Sequence, residues 1–152
     1  MFSYDIVDVA PSNVPPKLAE SRWSFVQGDV RRLTDKIPEH IDWLFMDSDH
    51  SASFAEWYLN EVFPRVKAGG VIAVDDVYHY EDPGEFDGEG EVLAAWLEEK
   101  GVEGFCASSA GFKTEQNAIN AVKLSLGLGD MIRPATKNPT VFFEAPSAKP
   151  SA

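Results

Sequence analysis

Cysteine is nearly absent: Cys106 is the only one in 152 residues, which excludes an intramolecular disulfide and fits a reducing cytosol. A lone thiol of this kind reads first as a small buried side chain, since free cysteine is among the most buried residue types. Basic residues are scarce too, 13 Lys and Arg against 25 Asp and Glu, giving a formal net charge of −12. Binding a phosphate backbone needs clustered Lys and Arg, so nucleic acid is not an expected partner. No apolar run approaches the roughly 20 residues that span a bilayer. The start, Met1-Phe2-Ser3-Tyr4-Asp5, carries neither the basic nor the apolar segment of a signal peptide. These absences lead to the expectation of a cytoplasmic protein with one domain over residues 1–145, followed by a disordered tail over 146–152.

What is present alternates. Strand-like runs occur at Tyr4 to Ala10, Trp23 to Val30, Ile41 to Asp47 and Val71 to Val77. Near-continuous apolar runs of this length suit parallel strands buried on both faces. A helix is predicted between the third and fourth runs, with Ser53 and Glu56 as a capping box. Its apolar stripe is Phe54, Tyr58, Val62 and Val66, flanked by Leu59 and Phe63, and Lys67-Ala68-Gly69-Gly70 ends it. A second helix is predicted from about Glu89 to Lys100, burying Val92, Leu93, Trp96 and Leu97. A third covers about Glu115 to Leu126, with Ala118, Val122 and Leu126 on one side. Short strands fit Gly104 to Ser108 and Thr140 to Ala145, and Glu81 to Gly90 reads as an acidic loop.

Alternating strands and helices argue for an open α/β sheet, in which ligands bind beyond the carboxyl ends of the strands. Four of those ends carry acid: Asp8, Asp29, Asp47 and the pair Asp75-Asp76. Asp47, Asp75 and Asp76, on successive parallel strands, are candidate ligands of one hard divalent cation such as Mg²⁺, which would relieve their mutual repulsion. Adjacent residues on a regular strand point to opposite faces, so Asp75 and Asp76 converge only where the strand bends into its loop. His50, three residues after Asp47, is a candidate base for a substrate hydroxyl. Tyr78 and His79 are weaker candidates at the same rim, and His40 reads as structural. Asp8 and Asp29 are candidates for the ribose hydroxyls and the adenine amino group of a nucleotide-type cofactor. Taken singly, each acid can equally cap a helix or end a strand.

Two segments, IDWLFMDSDH and FPRVKAGGVIAVDDV, separated by an amphipathic helix, together resemble the fourth and fifth strands of class I S-adenosylmethionine-dependent methyltransferases. The likeness is specific over about residues 23 to 80. Within that class it is closest to metal-dependent small-molecule O-methyltransferases, which carry an Asp-x-x-His segment and a later acidic pair. The resemblance implies a Rossmann-like, mostly parallel sheet with flanking helices and an antiparallel last strand near Thr140 to Ala145. It also implies Asp47, Asp75 and Asp76 as Mg²⁺ ligands, His50 as base, and Asp8 and Asp29 as contacts to S-adenosylmethionine. The family's first strand and Gly-rich loop have no counterpart in this sequence, so an N-terminally truncated version of the fold is expected.

The resulting expectation is methyl transfer to an oxygen of a small molecule. The alternative is an inactive remnant or interaction module, pairing with itself or with a complementing N-terminal fragment through an exposed strand edge. A phospho-accepting signalling domain also combines an acidic pair with a lone Asp, but in the opposite order along the chain.

Overall fold

The computed structural model describes residues 1–77, 88–106, 113–129 and 140–147. Tyr78, His79, most of the acidic loop, the end of the Gly104 to Ser108 run and most of the tail lie outside the described residues. The chain divides into two compact units, Met1–Pro38 and Glu39–Ala152. The boundary between Pro38 and Glu39 falls inside the one domain expected over residues 1–145.

In the first unit, β1 (Phe2–Asp5) pairs in parallel with β2 (Ser24–Gln27), from Phe2 opposite Ser24 to Asp5 opposite Gln27. Two one-turn helices, α1 (Ala10–Asn13) and α2 (Pro16–Ala19), fill the connection, and each has proline in its first turn. Proline is tolerated there because its missing N–H would be unsatisfied in any case. The Tyr4 hydroxyl donates to the Lys36 carbonyl at 2.6 Å, and Trp23 Nε1 donates to Ser3 Oγ at 2.9 Å. The first strand is shorter than its apolar run suggests: it ends at Asp5, and Asp8 lies in the bend beyond it.

The second unit is a four-stranded sheet in the order β3-β4-β6-β5. β3 (Ile41–Met46) runs parallel to β4 (Val66–Val74), while β6 (Val141–Glu144) is antiparallel to both β4 and β5 (Phe105–Cys106). The expected antiparallel last strand is therefore present. α3 (Ala52–Glu61) makes the crossover from β3 to β4 and packs against α4 (Glu89–Lys100). α4 has the expected bounds and ends on Gly101, whose φ of 66° is the left-handed cap that glycine adopts without penalty. No helix among the described residues is long and apolar enough to cross a membrane.

The α3 to β4 junction departs from its sequence reading. Ser51, not Ser53, caps α3, its Oγ accepting from the Phe54 amide at 3.2 Å. The helix stops at Glu61, a short 3₁₀ turn covers Phe63–Arg65, and β4 begins at Val66 rather than Val71. Pro64 explains the break: it cannot donate to the helical ladder, and its ring opposes continuation of the helix. Lys67 to Gly70 is thus strand, with a register shift between the Ile41–Val66 and Trp43–Val71 pairs. Gly70 is required there, because a Cβ would lie within 3 Å of the Lys67 and Asp42 carbonyl oxygens.

The core collects Phe54, Tyr58, Leu59, Val62 and Phe63 with Ile72, Val74, Leu93 and Phe143, all buried. Phe63 stands at its centre, with ring centroids 5.0 Å from Tyr58, 5.3 Å from Trp96 and 5.8 Å from Phe143. The other face of the sheet departs from the expected two-sided burial. Trp43 and Phe45 stack on each other there and are 56% and 47% exposed. The third helix is present as α5 (Lys113–Ser125), and the residues read as sharing one side, Val122 and Leu126 with Ala118, are exposed.

Candidate functional site

The parallel pairing of β3 with β4 sets the site. Met46 lies opposite Val74, and the Asp75 amide donates to the Met46 carbonyl at 2.8 Å. The register therefore carries on past both strand ends and sets Asp47 beside Asp75, on backbones about 4.8 Å apart. Asp75 is partly buried, and one of its carboxylate oxygens accepts from Thr140 Oγ1. Asp76 follows with a φ of 51°, a left-handed conformation that Asp tolerates better than most residues. The strand thus bends within the acidic pair.

These carboxylates are all-oxygen donors of the kind a hard cation prefers, so their chemistry fits Mg²⁺. Their arrangement is not a finished cage: among the described residues no group of three or more His, Cys, Asp or Glu side chains is placed to hold a metal ion. One residue beyond Asp47, the buried Ser48 Oγ has no hydrogen-bond partner among the described residues. A buried hydroxyl left in this way is costly, and a bound ligand would satisfy it.

His50 lies in the loop between β3 and α3, with its side chain 20% exposed. Its Nδ1 is 2.9 Å from Glu89 Oε2, and the other Glu89 oxygen accepts from the Tyr58 hydroxyl at 3.1 Å. Glu89 opens α4 and is only 2% exposed. A bridge between Ser51 and Gly88 ties the His50 loop to the start of α4, and Tyr58 projects from α3. Burial pushes the Glu89 carboxyl above its usual range, against the opposing pull of its hydrogen bond with His50. Burial first, and then the Glu89 charge, push the Tyr58 phenol upward, so Tyr58 stays protonated and acts as the donor.

Sequence reasoning missed Glu89. A glutamate in the first turn of a helix reads as a favourable partner of the helix dipole, and nothing local separates it from Glu91. Only the pairing of a loop 39 residues away with the start of α4 reveals it.

The two acids of the first unit occupy different settings. Asp29 caps a 3₁₀ turn: its Oδ1 accepts from the Arg31 amide at 3.0 Å and from Arg31 Nε at 3.1 Å. The hydrogen bonds from Arg31 hold its carboxyl below the usual carboxylate range. Asp8 is exposed beyond β1 rather than at its end. His40 precedes β3, away from the strand ends that carry the acids, as expected. An open depression of about 620 Å³ lined by Gly69, Val71, Phe105 and Phe142 lies toward the opposite end of the sheet, and it contains none of the residues singled out above.

Comparison with known proteins finds a family match over part of the chain and a likeness of fold. Residues 3–77 match a family described as a methyltransferase domain. No curated protein matches the chain. Among solved structures, a putative O-methyltransferase from Klebsiella pneumoniae superposes with a TM-score of 0.59 at 15% identity, over 96% of this chain and 61% of that one. Cofactor-bound Rv0187 from MTB superposes with a TM-score of 0.62 at 15% identity, over 95% of this chain and 60% of that one. The chain thus spans about three-fifths of the length of these two proteins, and at this identity the likeness is one of fold.

Proposed function

We propose that this chain, whose residues 3–77 match a methyltransferase-domain family, transfers a methyl group from S-adenosylmethionine to an oxygen of a small molecule, with Mg²⁺ assisting. The observation that carries the oxygen assignment is the juxtaposition of Asp47 with Asp75 at adjacent strand ends, with His50 in the loop that follows Asp47. Asp47, Asp75 and Asp76 would hold the cation, and Asp8 and Asp29 would contact the cofactor's ribose and adenine. The cation, when bound, would supply charge that steadies an acceptor oxygen as it loses its proton. The sulfonium of the cofactor supplies an activated methyl group.

His50 does the proton chemistry. With cofactor and acceptor bound, the His50 imidazole would take the acceptor's hydroxyl proton as the oxygen is methylated and pass it on to water. Carboxylates at the ends of β3 and β4 and a base in the loop after Asp47 would bring the acceptor oxygen and its proton acceptor together, and such positioning lowers the barrier.

The test uses S-adenosylmethionine with an isotopically labelled methyl group and a panel of hydroxylated small molecules. Label is expected in an O-methyl product, and chelation of divalent cations is expected to suppress it. Asp75→Asn is expected to raise the Mg²⁺ concentration for half-maximal rate by at least about tenfold, as loss of a carboxylate around a metal does. Product formation unaffected by chelator and by Asp75→Asn would remove the cation from the reading. Label found on nitrogen or carbon instead of oxygen would overturn the acceptor assignment.

A further inference from the structure

Glu89 is an acid in the first turn of α4 that is almost wholly removed from water. Burying an acid is costly unless its oxygens are well bonded. Here each oxygen has a partner: Oε1 accepts from the Tyr58 hydroxyl at 3.1 Å, and Oε2 faces His50 Nδ1 at 2.9 Å. A carboxylate can only accept, so the imidazole nitrogen facing it carries the proton. In a neutral imidazole that leaves the lone pair on Nε2.

We propose that Glu89, itself fixed by Tyr58, is a positioning residue that holds His50 in the Nδ1–H tautomer and so presents Nε2 as the proton acceptor. This rests on the methyl-transfer reading for its consequence, but the tautomer itself is a property of the protein alone. The three side chains come from three separate elements: the loop after β3, α3 and the first turn of α4. The Ser51–Gly88 bridge sets the spacing of the first and third. Asp49 lies near enough to bear on the Glu89 charge, and it sits in the same loop as His50. A carboxylate behind an imidazole also stabilises the imidazolium that forms when Nε2 takes a proton.

Glu89→Gln separates positioning from a structural role. Glutamine has nearly the same shape and can still accept from Tyr58 with its carbonyl oxygen. Its amide group then faces Nδ1 as a donor, which forces the imidazole proton onto Nε2. Nitrogen-15 NMR of the three histidines, with His50→Gln to assign the His50 signals, reads the tautomer in the protein without cofactor or acceptor. The wild type is expected to show Nδ1–H at His50, and Glu89→Gln to show Nε2–H with the fold retained. In turnover, Glu89→Gln is expected to lower kcat about 10- to 100-fold with the acceptor KM nearly unchanged.

An Nε2–H tautomer in the wild type overturns the proposal without reference to any variant, so a poorly folded Glu89→Gln protein does not shelter it. A shifted tautomer with undiminished kcat overturns it as well. If the wild type proves to have no methyl-transfer activity, the NMR result still decides whether Glu89 sets the imidazole, and the two failures stay distinct.

Discussion

His50→Gln is expected to reduce methyl transfer about 10²- to 10⁴-fold, the usual contribution of a positioned general base, while leaving cofactor affinity within a factor of about two. The size follows from the placement of the residue. The imidazole is only partly exposed and is held by Glu89, so a water molecule would have to replace it without that orientation. Glutamine keeps polarity and approximate length but cannot take a proton at neutral pH. Single-turnover rates with labelled S-adenosylmethionine, together with calorimetric cofactor affinity, separate the two quantities. An equal loss of affinity and rate would point to a disrupted loop instead of a missing base.

The second large effect concerns stability. Phe63→Ala is expected to destabilise the fold by about 3–5 kcal/mol, the range for removing a buried aromatic ring. Phe63 sits in the short turn that Pro64 creates, and its ring contacts Tyr58, Trp96 and Phe143, which come from α3, α4 and β6. One side chain therefore ties both helices to the sheet. The surroundings cannot collapse easily into the space, because they belong to elements fixed by their own hydrogen bonds. Urea unfolding monitored by tryptophan fluorescence gives the value, and a loss below about 1 kcal/mol would show that the cluster rearranges freely.

The same region shows what the residues reveal before the coordinates and what they do not. Ile41 to Met46, Glu89 to Lys100 and the final strand are legible because their signals are local: an apolar run stopped by acid, a periodic face closed by Gly101, and a β-branched and aromatic run. The α3 to β4 junction is less so. Val66 continues the helical spacing of Phe54, Tyr58 and Val62 and is buried as that spacing suggests, yet it is buried from a strand. The competing signal, Pro64, is in the sequence, and it outweighs the spacing.

At the candidate site, the approach of Asp47 to Asp75 follows from strand order alone, since consecutive parallel strands joined by one crossover tend to be neighbours. Asp8 shows the limit of that argument. The apolar run around it continues after the strand has ended at Asp5, because apolar residues also line bends and short helices. Glu89 shows another limit: its role depends on a partner distant in sequence and on burial, and neither leaves a local mark. The exposed pair Trp43 and Phe45 likewise follows a pattern that fits burial on both faces, and composition alone does not say which strand faces are covered.

The methyl-transfer expectations meet in whether the chain holds the nucleoside product of methyl transfer. Calorimetric titration of S-adenosylhomocysteine into the folded protein, with and without Mg²⁺, measures this directly. A saturable one-to-one isotherm that weakens when Asp8 or Asp29 is replaced by alanine is the predicted result. A folded protein that takes up no S-adenosylhomocysteine under either condition would contradict the account.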